Sequence, residues 1–101
     1  MNTDEARDII KGATYEAPRV LYRALLAIYE RQTQDEQDLG DTRERNGVGF
    51  TGWDGELLSS YAEQLLGGIN LSRSQFDVLQ RRMVKYGKQL AEVANARQEV
   101  A

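Results

Sequence analysis

Cysteine and histidine are both missing from the 101 residues. Without cysteine there is no disulfide and no thiolate metal site, and the redox compartment stays open. Without histidine there is no imidazole base or ligand. Carboxylates are plentiful, but none sits in an apolar sequence context that would raise its pKa for acid–base work. No enzymatic activity and no cofactor are therefore expected. Asp35, Glu36 and Asp38 could gather around a hard cation, yet they lack the glycine turn and distal glutamate of a calcium loop, so no metal is expected. No apolar run approaches the roughly 20 residues that span a bilayer. The start, Met1-Asn2-Thr3-Asp4-Glu5, is acidic and polar, unlike a signal peptide. A cytoplasmic protein without a membrane partner is the expectation. Proline occurs once, at Pro18, so little interrupts helix formation after it.

What is present suits one globular domain, with 41% hydrophobic and 29% charged residues. A chain of this length buries roughly two-thirds of its unfolded surface and can hold one modest core. The net charge of −3 is unevenly spread. From Glu30 to Asp41 five acids face one base, Arg31, and from Arg73 to Lys88 five bases face one acid, Asp77. Such a chain could meet an anion at one end and a basic protein at the other, or carry two ordinary solvated faces.

Helical periodicity dominates. Thr3 can cap a short helix with Asp4 and Glu5 in its first turn, and Gly12 can stop it, so residues 1–17 read as a short helix and turn. Pro18 suits the first turn of a second helix, whose apolar stripe is Val20, Leu21, Ala24, Leu25, Ile28 and Tyr29. Residues 33–46 are nearly devoid of apolar side chains and read as an exposed acidic connector, although Thr33 and Glu36 could form a capping box. Residues 47–97 read as a glycine loop and a helical hairpin. Its first helix runs from about Thr51 to Leu66 with the stripe Leu57, Leu58, Tyr61, Ala62, Leu65 and Leu66, and Gly67-Gly68 stops it. Its second opens on a Ser72–Gln75 capping box and carries a seam of Phe76, Leu79, Met83, Tyr86, Leu90 and Val93. That seam fits core packing, and also the edge of a homodimer. The fold class is all-α: a compact bundle of about four helices, with a long C-terminal helix and a glycine-rich loop before helix three. The expected core is Leu21, Leu25, Ile28, Phe50, Leu58, Tyr61, Leu65, Leu79, Met83, Tyr86 and Leu90.

Gly47-Val48-Gly49-Phe50-Thr51-Gly52 spells GxGxxG, but a dinucleotide site needs a buried strand before it, and Asp41-Thr42-Arg43-Glu44-Arg45-Asn46 cannot be one. Asp54 and Glu56 would also repel a phosphate at the start of the next helix. The loop reads instead as a turn that drops Phe50 and Trp53 into the core, or as a contact surface from which Arg43, Arg45 and Asn46 reach a phosphate. The last helix places Arg81, Lys85 and Lys88 on one face, opposite its seam, with Arg82 on the flank. Cations opposite a buried stripe suit phosphate contact, unless Asp77 and Glu92, each four residues from a base, use them in surface ion pairs.

Several of these features occur together in a known setting. Arg45-Asn46-Gly47-Val48-Gly49-Phe50, Asp54, Ala62, Leu71-Ser72-Arg73-Ser74-Gln75, Lys85-Tyr86 and Gln89-Leu90 follow one another in an order that resembles a small accessory domain of helicase-like DNA-processing proteins in phages and bacteria. The resemblance covers about Leu25 to Asn95. It implies a context of nucleic-acid metabolism or phage biology. This chain lacks a Walker motif and a motor, and carries Gly67-Gly68 where a basic residue is common and Trp53 before the aspartate. The leading expectation is a non-enzymatic module contacting nucleic acid or its processing machinery through Arg81, Arg82, Lys85, Lys88, Arg43, Arg45 and Asn46. The alternative is a small phage-type inhibitor that binds a host defence protein through Asp35, Glu36, Asp38 and Asp41.

Overall fold

Helix α1 spans Thr3–Gly12 and α2 spans Arg19–Leu39. The computed structural model describes residues 1–39, 49–50 and 52–100, with the side chains of all of these except 33–39, 53 and 98–100. Asn2, one residue earlier than the sequence suggested, caps α1: its side chain accepts from the Glu5 N–H at 2.8 Å while the Glu5 carboxylate accepts from the Asn2 N–H at 2.9 Å. This reciprocal box satisfies two amides that the first turn leaves unpaired. Pro18 stands just outside α2, and its carbonyl accepts the Tyr22 N–H. Helix α2 does not end at the acidic stretch. It continues through 33–39, so Thr33 starts no separate helix, and Asp35, Glu36 and Asp38 stand on helix rather than on a connector.

Helix α3 spans Gly52–Leu66 and ends as expected at Gly67-Gly68. The Gly68 and Ile69 N–H groups turn back onto the Leu65 and Gln64 carbonyls, closing the helix end. The amides of Gln64 and Gln75 exchange two hydrogen bonds of 3.1 Å across the hairpin. Ser72 caps α4 (Arg73–Met83) with Gln75 completing the box. The long C-terminal helix is one helical run, but it tightens at Val84–Tyr86 into a single 3-10 turn before α5 (Gly87–Val100). A close crossing accompanies that turn. A Cβ at Gly87 would stand 3.1 Å from the Thr3 carbonyl oxygen and 2.8 Å from the Arg7 side chain, so α1 rests directly on the backbone here.

Helix α1 packs chiefly on α5, and α2 on α3. The shared core holds Leu21, Leu25, Ile28, Phe50, Leu58, Tyr61, Leu79, Met83, Tyr86 and Leu90, as the periodicity requires. Leu65 is only half-buried, while Ala6, Ile10, Leu71 and Phe76 join the core. Each fully buried aliphatic side chain contributes roughly 1.5–3 kcal/mol relative to exposure. Phe76, Leu79, Met83, Tyr86 and Leu90 of the expected seam are thus buried inside the chain, while Val93 at its end is only half-buried. Among the described residues there is no strand, only an isolated bridge between Thr14 and Ala17, and no helix long and apolar enough to cross a membrane.

Candidate nucleic-acid interface

The C-terminal helical run carries its cations on the outside. Arg81, Arg82, Lys85 and Lys88 are all exposed, while Leu79, Met83, Tyr86 and Leu90 between them are buried. Neither ion pair that the sequence offered for these cations forms among the described residues. Glu92 reaches across to Arg31 on α2 at 3.5 Å instead of to Lys88, and Arg81 makes no ion pair with Asp77.

A different acid engages two of the four. Asp54, in the first turn of α3, has no accessible side-chain surface, so it points inward and does not crowd the helix start as expected from the sequence. One carboxylate oxygen takes the Arg82 guanidinium at 2.7 Å. The other takes the Tyr86 hydroxyl at 2.6 Å and the Lys85 ammonium at 2.5 Å. Burial pushes this carboxyl up, but the bonds from Lys85, Tyr86 and Arg82 and the Lys85 charge outweigh burial and hold it down at about 2. The carboxylate therefore stays ionised at neutral pH. It lies one layer beneath the surface: the Arg82 and Lys85 side chains above it keep 42% and 49% of their area exposed.

The glycine loop closes on the same helical run. The Gln89 amide brackets Gly49, accepting from its N–H at 3.0 Å and donating to its carbonyl at 2.8 Å, so a buried side chain substitutes for a strand partner. Gln32 on α2 accepts from the Phe50 N–H at 3.0 Å and donates to Ser59. Phe50 stacks edge-on against Tyr86 with ring centroids 5.7 Å apart. Gly49 has φ +84°, and a Cβ there would meet the Gln32 Cβ at 2.8 Å, so only glycine fits this bracket.

No protein-family model, curated protein or solved structure matches this chain.

Several of the residues that the sequence singles out meet one another in the fold. Gly49 and Gln89, Phe50 and Tyr86, and Asp54 and Lys85 are paired in space, each pair joining two segments of the chain, while Ser72 and Gln75 form the local cap of α4. Of the residues singled out as phosphate contacts, Arg81, Arg82, Lys85 and Lys88 share the outer face of one helical run. Arg43, Arg45 and Asn46 lie outside the described residues, as does Asp41, and so do the side chains of Asp35, Glu36, Asp38 and Trp53. Among the described residues no group of three or more acidic side chains is placed to hold a metal ion.

Sequence reasoning missed Asp54 as an organiser. Its signal was its phase: Asp54, Leu58, Tyr61, Ala62 and Leu65 fall on one helical stripe, so an acid stands where a core residue belongs. Gln32, in phase with Leu25 and Ile28, and Gln89, beside Leu90, carried the same signal. A polar group in a core phase is buried with a partner or not at all.

Proposed function

We propose that this chain is a non-enzymatic accessory module that contacts the phosphate backbone of nucleic acid through the outer face of its C-terminal helical run. The observation that carries this reading is the set Arg81, Arg82, Lys85 and Lys88: four exposed cations on one helical run, two of them held in place by a buried carboxylate. Arg82 uses one guanidinium nitrogen on Asp54, and an arginine has five N–H donors. Ordering these long side chains in advance reduces the entropy lost when a phosphate binds. Contact with backbone rather than base edges makes the affinity sequence-independent and salt-dependent.

Fluorescence-anisotropy titration of labelled single- and double-stranded oligonucleotides at two or more salt concentrations tests this. Four neutralised phosphates correspond to a slope of about −3 in log affinity against log salt. The pair R81E and K88E is the discriminating variant, because neither residue makes an ion pair among the described residues and their reversal leaves Asp54 satisfied. The double variant should retain its helicity and melting temperature, lose affinity, and flatten the slope to about −2 or less. Unchanged affinity, or no binding of the unaltered protein even at low salt, refutes the proposal.

A further inference from the structure

A second surface lies outside the basic face, between α2 and α5. Both helices present the same ridge pattern there. On α2 the residues are Val20, Arg23, Ala24 and Ala27, and on α5 they are Leu90, Val93, Ala94 and Arg97. Each set falls at positions i, i+3, i+4 and i+7, one face of a helix. Helix α1 closes one side with Ile9 and Ile10. The space enclosed is about 240 Å³, and it continues past Ala27 and Val93 into a second stretch of about 520 Å³ between Glu30, Arg31, Glu92 and Ala96. Ala6, Ala24, Ala27 and Ala94 line it beside Ile10, Leu90 and Val93, and the small alanine side chains let another backbone come close. Its rim leaves large apolar side chains in solvent, with Ile9 41% and Val20 46% exposed.

The charges around the groove say what would fill it. Among the described residues its first stretch is lined by no carboxylate; its charged side chains are Arg23 and Arg97, one on each wall. Both are exposed, and neither makes an ion pair or hydrogen bond among the described residues. Arg97 also borders the second stretch, whose other cation, Arg31, is paired with Glu92, so Arg23 and Arg97 carry the groove's attraction for acid.

We infer that this groove docks an acidic amphipathic helix of a partner protein, with its aliphatic side chains against the apolar lining and its carboxylates over Arg23 and Arg97. The side-chain ridges of two helices with a groove between them accept a third helix, and a helix laid in an apolar groove is a recurring mode of recognition. Arginine on both walls suits carboxylates flanking the apolar stripe of the incoming helix on either side. This surface is separate from the Arg81–Lys88 face, so the chain would hold nucleic acid and its protein partner at once.

The test uses the whole chain and a synthetic probe: an amphipathic peptide of about 18 residues made of leucine and glutamate, long enough to be helical. A leucine–lysine peptide of the same pattern is the control. In amide NMR titrations the leucine–glutamate peptide should shift Val20–Ala27 and Leu90–Arg97 saturably, and the control should not. The exposed double variant R23E/R97E should keep the circular-dichroism spectrum and lose at least tenfold in affinity for the acidic peptide, while gaining affinity for the lysine peptide. The inference is overturned by no saturable shift, by equal binding of both peptides, by shifts centred instead on the exposed Leu66 and Ile69, or by displacement of the peptide by decanoate with the same resonances affected. The last would assign the groove to a small anionic amphiphile. Self-association protecting these same residues would also overturn it, by giving the groove to a second copy.

Discussion

Replacing Asp54 by asparagine keeps the size of the side chain and removes its charge. Asp54 is buried, accepts from Arg82 and Tyr86, and pairs with Lys85. Its carboxyl is lowered from 3.8 to about 2. At 1.36 kcal/mol per pKa unit, that difference is worth about 2 kcal/mol of stability at neutral pH. The loss in Asp54→Asn should be of that size rather than the roughly 3–5 kcal/mol of a fully buried pair. Arg82 and Lys85 are half exposed and recover water when the carboxylate goes, and asparagine still offers Tyr86 an acceptor. For a chain of this length the melting temperature should fall by roughly 10 °C. The pH dependence gives the sharper test. A folded pKa held below the unfolded one contributes fully above the unfolded value and is lost as pH falls through the folded value. Urea unfolding of both proteins should therefore show a gap that is constant above about pH 5, about half closed at pH 3, and nearly gone at pH 2. A variant as stable as the parent at pH 7, or a gap that does not narrow with acid, would refute the argument that the carboxylate charge does this.

Gly49→Ala should cost roughly 2–3 kcal/mol in chemical unfolding, because it combines a strained positive φ with a Cβ 2.8 Å from that of Gln32; a loss under about 0.5 kcal/mol would show that the bracket gives way easily. Gln89→Leu keeps the volume but leaves the Gly49 N–H and carbonyl without their buried partner, so a loss of about 2 kcal/mol is expected. Hydrogen exchange at Gly49 should accelerate in that variant, and unchanged exchange would mean the amide finds another partner.

Most of the fold was legible because its core is periodic. Leu21, Leu25 and Ile28, then Leu58 and Tyr61, then Leu79, Met83 and Tyr86 recur at helical spacing, and burial followed. Local chemistry also read correctly: the Ser72–Gln75 box and the Gly67-Gly68 stop depend only on neighbours in the chain. The length of α2 did not, since polar residues after Arg31 lack an apolar stripe yet continue the helix to Leu39. The basic face was half legible. Its cations and their outward phase could be seen, but their partners could not, since Asp54 lies 28 residues from Arg82 and Glu92 chooses Arg31 rather than its own helix neighbour.

The sequence by itself determined the helical class, most of the helix positions, the apolar stripes and the absence of cysteine and histidine chemistry, because propensity, phase and composition act locally or need no geometry. Only the tertiary structure decided which polar groups are buried and with whom. It drew Asp54 under Arg82 and Lys85, closed the Gln89 amide on Gly49, and left an apolar groove between Arg23 and Arg97. Those pairings join residues far apart in sequence, and a charge or amide selects its partner through distance and desolvation, which exist only once the helices have packed.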